Sequence, residues 1–342
     1  MKKVQREFLK ERSKDELVSD LRARKYSILD SIGYKTSKLK MFIPRFFATL
    51  VVMFLFRNPW GKTKEEWVQI VRKRIVRFFN WGVPYKIYHD EKLPKNENGL
   101  VIGFNHPSLG EILRLIGLMC KEYPNNRFLF PVTLPWYEAF CPVIDRMEDA
   151  GIYITPIITP STREKIEKDC DKDAQRIATS IASSFNSVYM NLCRQFSESK
   201  DIILVAPPAT RQAHIFKTDA EIMKMKRIEP QTISLLTATL SRHTENSEIE
   251  FLPIAAIPPK EYKKGINMFK EYTFGICDEL SLEEAKELSK DKYGDFGGRE
   301  IDYDFLARIS KKAFGIGRYE IIAPFIVDKS MDYLAKILEL SD

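Results

Sequence analysis

At 342 residues and 44% hydrophobic content, the chain is long enough for one large α/β domain plus a smaller appendage, with ample apolar material for a core. Its net charge of +7 is unevenly placed: residues 1–80 hold 20 Lys and Arg against 8 Asp and Glu, leaving 34 against 39 in the rest. Five scattered cysteines, with no Cys-x-x-Cys pair, argue against a disulfide framework or a zinc site and fit a reducing cytoplasm.

The first 30 residues alternate charge at helical spacing, with Phe8, Leu9, Leu17, Leu21 and Ile28 as a thin apolar stripe, and predict a basic helix without the features of a secretory signal. Breaks at Gly33-Tyr34-Lys35-Thr36 and Asn58-Pro59-Trp60-Gly61 bracket an uncharged run from Phe46 to Phe56. Eleven residues are too few to cross a bilayer, which needs about 20. With Lys38, Lys40, Arg45 and Arg57 around it, and Trp60, Trp67 and Trp81 following, the run suits an anionic membrane interface. A helix over Lys64–Asn80 carries Val68, Val71, Ile75 and Phe79 on one face and Lys73 and Arg77 on the other. That pattern fits a membrane-lying helix or one packed on the domain with a solvated basic side. Basic charge also attracts nucleic acid, but no aromatic-and-basic recognition signature accompanies it, so no nucleic-acid partner is expected.

Residues 83–89 predict a first strand, and a loop through Pro94 to Gly99 precedes an apolar strand, Leu100 to Phe104. That strand leads into Asn105-His106-Pro107-Ser108-Leu109-Gly110-Glu111. Pro107 suits a first helical position, and His106 then falls on the strand-to-helix turn, at the strand end where open α/β sheets place ligands. A neutral imidazole takes a proton from a hydroxyl, and a carboxylate on its other nitrogen sets the tautomer and stabilises the imidazolium. Positions five apart on a regular helix point away from each other, so Glu111 reaches His106 only if the histidine lies outside the helix. Two residues leave another reading open, a His-Pro turn beside an unrelated surface glutamate.

Ile112 to Cys120 predict the next helix, and Ile152 to Ile158 and Ile202 to Ala206 further buried strands, each followed by helical stretches. The segment 161–200 is charged, with apolar residues at helical spacing. Such alternation predicts an α/β fold, a mostly parallel central sheet with helices on both faces, preceded by the basic N-terminal helical segment. After Pro259 the pattern turns mostly helical: a capping-box start at Ser281-Leu282-Glu283-Glu284, a Gly294–Gly298 loop, then helices over 303–314 and 331–340. The expected organisation is a membrane-associating segment over 1–82, a core over 83–260, and an extension of the same domain over 261–342. No repeat and no low-complexity segment stands out.

The motifs resemble, in order, those of the phospholipid/glycerol acyltransferase family. Its first is a histidine, four residues and an aspartate, here His106 and Glu111. Its third reads Pro-Glu-Gly-Thr-Arg-Ser, matched by Pro207, Thr210 and Arg211. Its fourth, an apolar strand with a proline, is matched by Phe251 to Ile257. The resemblance spans residues 100–260. Glu111 stands in place of aspartate, Pro208 and Ala209 replace the glutamate and glycine, and Thr155-Pro156 fills the place of the second motif's arginine, with Arg163 nearby. The loop pattern is most similar to soluble plastid-type glycerol-3-phosphate acyltransferases, which share an Ala-Pro before the third motif and a long helical insertion, here Ser161 to Lys200.

The resemblance implies an acyltransferase that moves a fatty acyl chain from acyl-CoA or acyl carrier protein to glycerol-3-phosphate or a lysophospholipid, on the inner face of the membrane. His106 and Glu111 would be catalytic, and Thr210 and Arg211 would bind the acceptor phosphate, a role the planar paired donors of a guanidinium suit. No cofactor and no metal are implied, and no two histidines have metal-ligand spacing. His89, His214 and His243 read as surface or loop residues, and Lys260, Lys263 and Lys264 as solvated or as a seat for an acidic acyl carrier. No Gly-x-Ser-x-Gly elbow or Walker loop is present. The substitutions around Glu111 and Pro208 also fit a different class of protein, a non-catalytic lipid- or membrane-binding relative on the same fold.

Overall fold

A computed structural model describes residues 46, 50, 53–57, 61–82, 85–104, 110–157, 168, 171–205, 250–257, 271–276 and 280–281. The basic helix expected over 1–30 and the C-terminal helices expected over 303–314 and 331–340 lie outside them. The chain forms two compact units, one of residues Met1–Val71 and Leu129–Leu192, the other of Arg72–Phe128 and Cys193–Asp342.

Helix α1, Lys64–Gly82, begins in the first unit and ends in the second. A capping box opens it: the Glu66 amide donates to Thr63 Oγ1 at 3.3 Å, and the Thr63 amide donates to Glu66 Oε2 at 3.1 Å. The Thr63 bond and Lys62 hold the Glu66 carboxyl below its ordinary pKa. Trp67, Val71 and Ile75 are buried at helical spacing, and Lys73 and Arg77 are exposed. The helix is therefore packed on protein with a solvated basic side. Trp67, expected in an interface belt, is instead buried beside Phe56, ring centroids 6.5 Å apart. Val71 and Ile75 are buried as read in the sequence, while Trp67 takes the buried place read for Val68, which is half-buried.

The second unit holds β1 (Tyr85–Tyr88), a 3-10 turn (Asp90–Lys92), β2 (Leu100–Phe104), helix α2 (Gly110–Glu122), β5 (Ile202–Val205), β6 (Glu250–Ile257), β7 (Tyr272–Ile276) and β8 (Leu280–Ser281). Its strand order is β1-β7-β6-β2-β5, with β8 on β6. β2 is parallel to β5 and β6, β1 is parallel to β7, and β6 is antiparallel to β7 and β8. The unit is thus an α/β fold on a mostly parallel sheet. Every residue of β2 and β5 is buried, the behaviour of parallel strands covered on both faces. The sequence reading placed no strand after Pro259, whereas β7 runs between β1 and β6. Ser281, expected to cap a helix, closes β8, and the residues after it lie outside the described ones.

The first unit contains β3 from Leu129 (the strand is Phe128–Thr133), helix α3 (Leu134–Asp149), β4 (Ile152–Ile157) and helix α4 (Lys172–Glu198) up to Leu192. β3 and β4 are neighbours. Pro135 sits in the first turn of α3, where no N–H is missed. Gly151, at φ 81°, turns the chain from α3 into β4 in a backbone region that other residues avoid.

Helix α4 buries Ala178, Phe185, Tyr189, Cys193 and Phe196 along one stripe. It ends with Lys200 in the left-handed region, φ 57°. The Asp201 amide donates back to Phe196 O at 2.8 Å and the Lys200 amide to Ser197 O at 3.0 Å, a Schellman arrangement with lysine where glycine is usual.

Candidate functional site

β2 occupies the middle of the second unit's sheet, between β5 and β6, and all three strands point the same way. In register, Gly103 lies opposite Val205, the last residue of β5, and Phe104 lies opposite Ile254 of β6. The chain therefore leaves β2 and β5 side by side, from one end of the sheet, with strands about 5 Å apart. His106 follows the end of β2 by two residues, and Pro207 follows the end of β5 by two. Pro258-Pro259 follows the end of β6, the third strand of the group. Carboxyl ends of parallel strands are where such sheets build ligand sites.

His106, Pro107, Thr210 and Arg211 themselves lie outside the described residues, as do Pro208, Ala209, Arg163, His214, His243, Lys260, Lys263 and Lys264. Glu111 is the second residue of α2, which begins at Gly110, four residues beyond His106 in the chain. The helix begins two residues before Ile112, where the apolar pattern placed its start.

One residue near this end was missed in the sequence. Arg114, three positions after Glu111, is fully buried, with its guanidinium carbon 4.1 Å from the centre of the Tyr272 ring on β7. The signal was a lone arginine inside the otherwise apolar Ile112–Cys120. At the far end of α2, burial pushes the Cys120 thiol up to about 12 despite the nearby Arg72 guanidinium, so this cysteine is no nucleophile. His89 makes a 2.9 Å contact through Nδ1 with Glu91 Oε1 on the surface, apart from these strand ends in sequence and on the edge strand's loop. Thr155, where the resemblance expects an arginine nearby, is buried on β4. Among the described residues no cluster of His, Cys, Asp and Glu is arranged to hold a metal ion. No helix among them is long and apolar enough to cross a membrane.

No family profile and no curated protein matches the chain. Among solved structures it is similar to the 1-acyl-sn-glycerophosphate (LPA) acyltransferase PlsC from Thermotoga maritima, at 14% identity and a TM-score of 0.36, over 81% of this chain and 95% of that one. The two chains share too little for the likeness to say anything of the reaction run here.

Proposed function

We propose that this protein is an acyltransferase that transfers a fatty acyl chain from a coenzyme A or acyl carrier protein thioester to the hydroxyl of glycerol-3-phosphate or a lysophospholipid. The observation that carries the reading is the shared exit of the two motif segments: the one bearing His106 and Glu111 and the one bearing Thr210 and Arg211 leave adjacent parallel strands at the same end.

In this reading His106 takes the proton of the acceptor hydroxyl as its oxygen attacks the thioester carbonyl. The tetrahedral intermediate collapses, the carbon–sulfur bond breaks, and the imidazolium returns the proton to the leaving thiolate. Glu111 orients the imidazole, and Arg211 with Thr210 binds the acceptor phosphate. Arg211 would make paired donor contacts to phosphate oxygens that a lysine does not reproduce.

The membrane is the proposed place of work. Phe46, Leu50, Met53 and Phe54 are exposed, with Phe46, Leu50, Met53 and Phe54 all in helical conformation, and their spacing puts them on one face. Arg57 beyond them is exposed, and Lys38, Lys40 and Arg45 precede them in sequence. An apolar face with basic flanks matches an anionic interface. Labelled acyl-CoA and acyl carrier protein, each offered with glycerol-3-phosphate and with lysophosphatidate, test the reaction. Transfer by the wild type that is lost in His106→Ala supports it, and equal rates in both proteins refute it.

A further inference from the structure

β1 ends the strand order of its sheet, with β7 on one side and no strand among the described residues on the other. Alternate amides and carbonyls of its four residues, Tyr85–Tyr88, are therefore turned away from the ladder. Lys86 and Tyr88 are exposed while Tyr85 and Ile87 are half-buried, so one face of the strand is open to water. Proteins guard such edges with prolines, bulges or lysines that reach outward. β1 has no proline and no bulge: its register on β7 runs unbroken from Tyr85 opposite Tyr272 to Tyr88 opposite Gly275. Its one lysine is drawn inward, with Lys86 Nζ 2.9 Å from Oε1 of Glu271, the residue before β7. The edge is thus short, regular and without its usual guard.

The residues of β1 decide which strand fits there. A one-residue slip in an antiparallel pair sets the exposed face of one strand against the half-buried face of the other. Two copies related by a two-fold axis keep their faces aligned only when the axis passes through a residue. An axis at Lys86 places two ammonium groups opposite each other, which is unfavourable. An axis at Ile87 places Ile87 opposite its own counterpart, and symmetry then places Lys86 of each copy opposite the Tyr88 ring of the other, a cation–ring pair formed twice. Tyr88 is 39% exposed, and Ile87 is half-buried, so both have apolar surface left to cover. Tyr85 holds the strand in place, its ring centroid 6.0 Å from that of Phe274 on β7. An unrelated strand would gain the same backbone bonds without this reciprocal pairing.

We propose that β1 is a self-association edge: two copies of the chain pair their β1 strands antiparallel about a two-fold axis at Ile87, and the sheet continues across the interface. The edge stands three strands from β2, and the association does not depend on the acyltransferase reading. Strands of four residues bury far less than the roughly 1,200 Å² of a stable interface, so the dimer is weak and forms with rising concentration.

Disulfide trapping of the full chain under mild oxidation tests the register directly. Paired residues of antiparallel strands have Cα atoms about 4.5–5.5 Å apart, within reach of a disulfide. Ile87→Cys is expected to give a covalent dimer by itself. Lys86→Cys and Tyr88→Cys are each expected to give little alone and a dimer when the two are mixed. Wild type sets the background of the native cysteines, of which Cys120 and Cys193 are buried. Sedimentation equilibrium supplies the second readout, with a mass that rises toward twice the monomer as wild type is concentrated. Tyr88→Lys, an exposed change that sets like charges opposite each other twice, weakens that association by at least about threefold. A wild type that stays monomeric, with Ile87→Cys trapping no more dimer than wild type, overturns the proposal. Dimers that Lys86→Cys alone traps better than Ile87→Cys overturn the register and the reciprocal pairing with it.

Discussion

Asp201 is bound three times by Arg127: the Arg127 main-chain amide donates to Oδ1 at 2.8 Å, Nε donates to Oδ2 at 2.7 Å, and Nη2 lies 2.6 Å from the same oxygen. Asp201 immediately precedes β5, and Arg127 immediately precedes β3. The Arg127 carbonyl accepts from the Ile202 amide, and the Lys200 carbonyl accepts from the side chains of Asn96 and Asn126. These bonds gather at the amino end of β5, the end opposite the one from which the Arg211 segment departs. This hydrogen-bonded network thus lies at the end of β5 opposite the candidate site.

Replacing Asp201 therefore acts on stability and not on the reaction. The carboxylate is nearly buried, while the Arg127 side chain stays two-fifths exposed and finds water when its partner is lost. Asp201→Ala is expected to cost about 2–3 kcal/mol, below the range for breaking a fully buried pair. Asn, which keeps one acceptor, costs less. Urea denaturation with an unchanged slope checks both.

Lys200 sits in the left-handed region without the freedom of glycine. Lys200→Gly relieves that strain while leaving the Schellman bonds and the carbonyl that Asn96 and Asn126 use. A gain of about 0.5–1 kcal/mol is expected, set against the added flexibility of the unfolded chain. A thermal or urea midpoint below wild type contradicts it.

Cys120 gives a pH dependence of known sign. Its thiol loses a proton near 9.0 when unfolded and at about 12 when folded. Between those values the unfolded chain has given up a proton that the folded one keeps, so raising the pH favours unfolding. The contribution is full below pH 9 and is lost at about 1 kcal/mol per pH unit above it. Comparing wild type with Cys120→Ala by urea unfolding at pH 8, 9 and 10 isolates it: the wild type loses stability faster. Thiol reagents at pH 8 modify Cys120 only after denaturation.

The exposed face of Phe46, Leu50, Met53 and Phe54 predicts vesicle binding. Burying one large apolar side chain contributes about 1.5–3 kcal/mol. Met53→Glu/Phe54→Glu should therefore weaken sedimentation with anionic phosphatidylserine vesicles by at least about tenfold. Unchanged binding in the double variant argues that this face does not meet lipid.

Much of the central sheet was legible because its strands are locally distinct. Leu100 to Phe104 is a short apolar run between Gly99 and the Asn105-His106-Pro107 sequence, and β2 has those bounds. β7 was not legible, since Tyr272 to Ile276 is five residues with a glycine, and its strand character comes from pairing with β1 and β6. The α1 stripe was read as Val68, Val71, Ile75 and Phe79, whereas Trp67 takes the first buried place. A tryptophan's size suits a core or an interface, and sequence does not separate the two. Arg114 was passed over for a similar reason: its ring partner, Tyr272, is far along the chain and only the folded sheet brings it near.

Acyl transfer by wild type, Glu111→Asp and Glu111→Ala tests the central claim most directly. Assays pair acyl-CoA and acyl carrier protein with glycerol-3-phosphate and lysophosphatidate. Turnover in the wild type that persists at reduced rate with aspartate and collapses by about a hundredfold or more with alanine is the predicted result. No turnover in any form, with vesicle binding intact, contradicts the account and leaves a lipid-binding protein on an α/β fold.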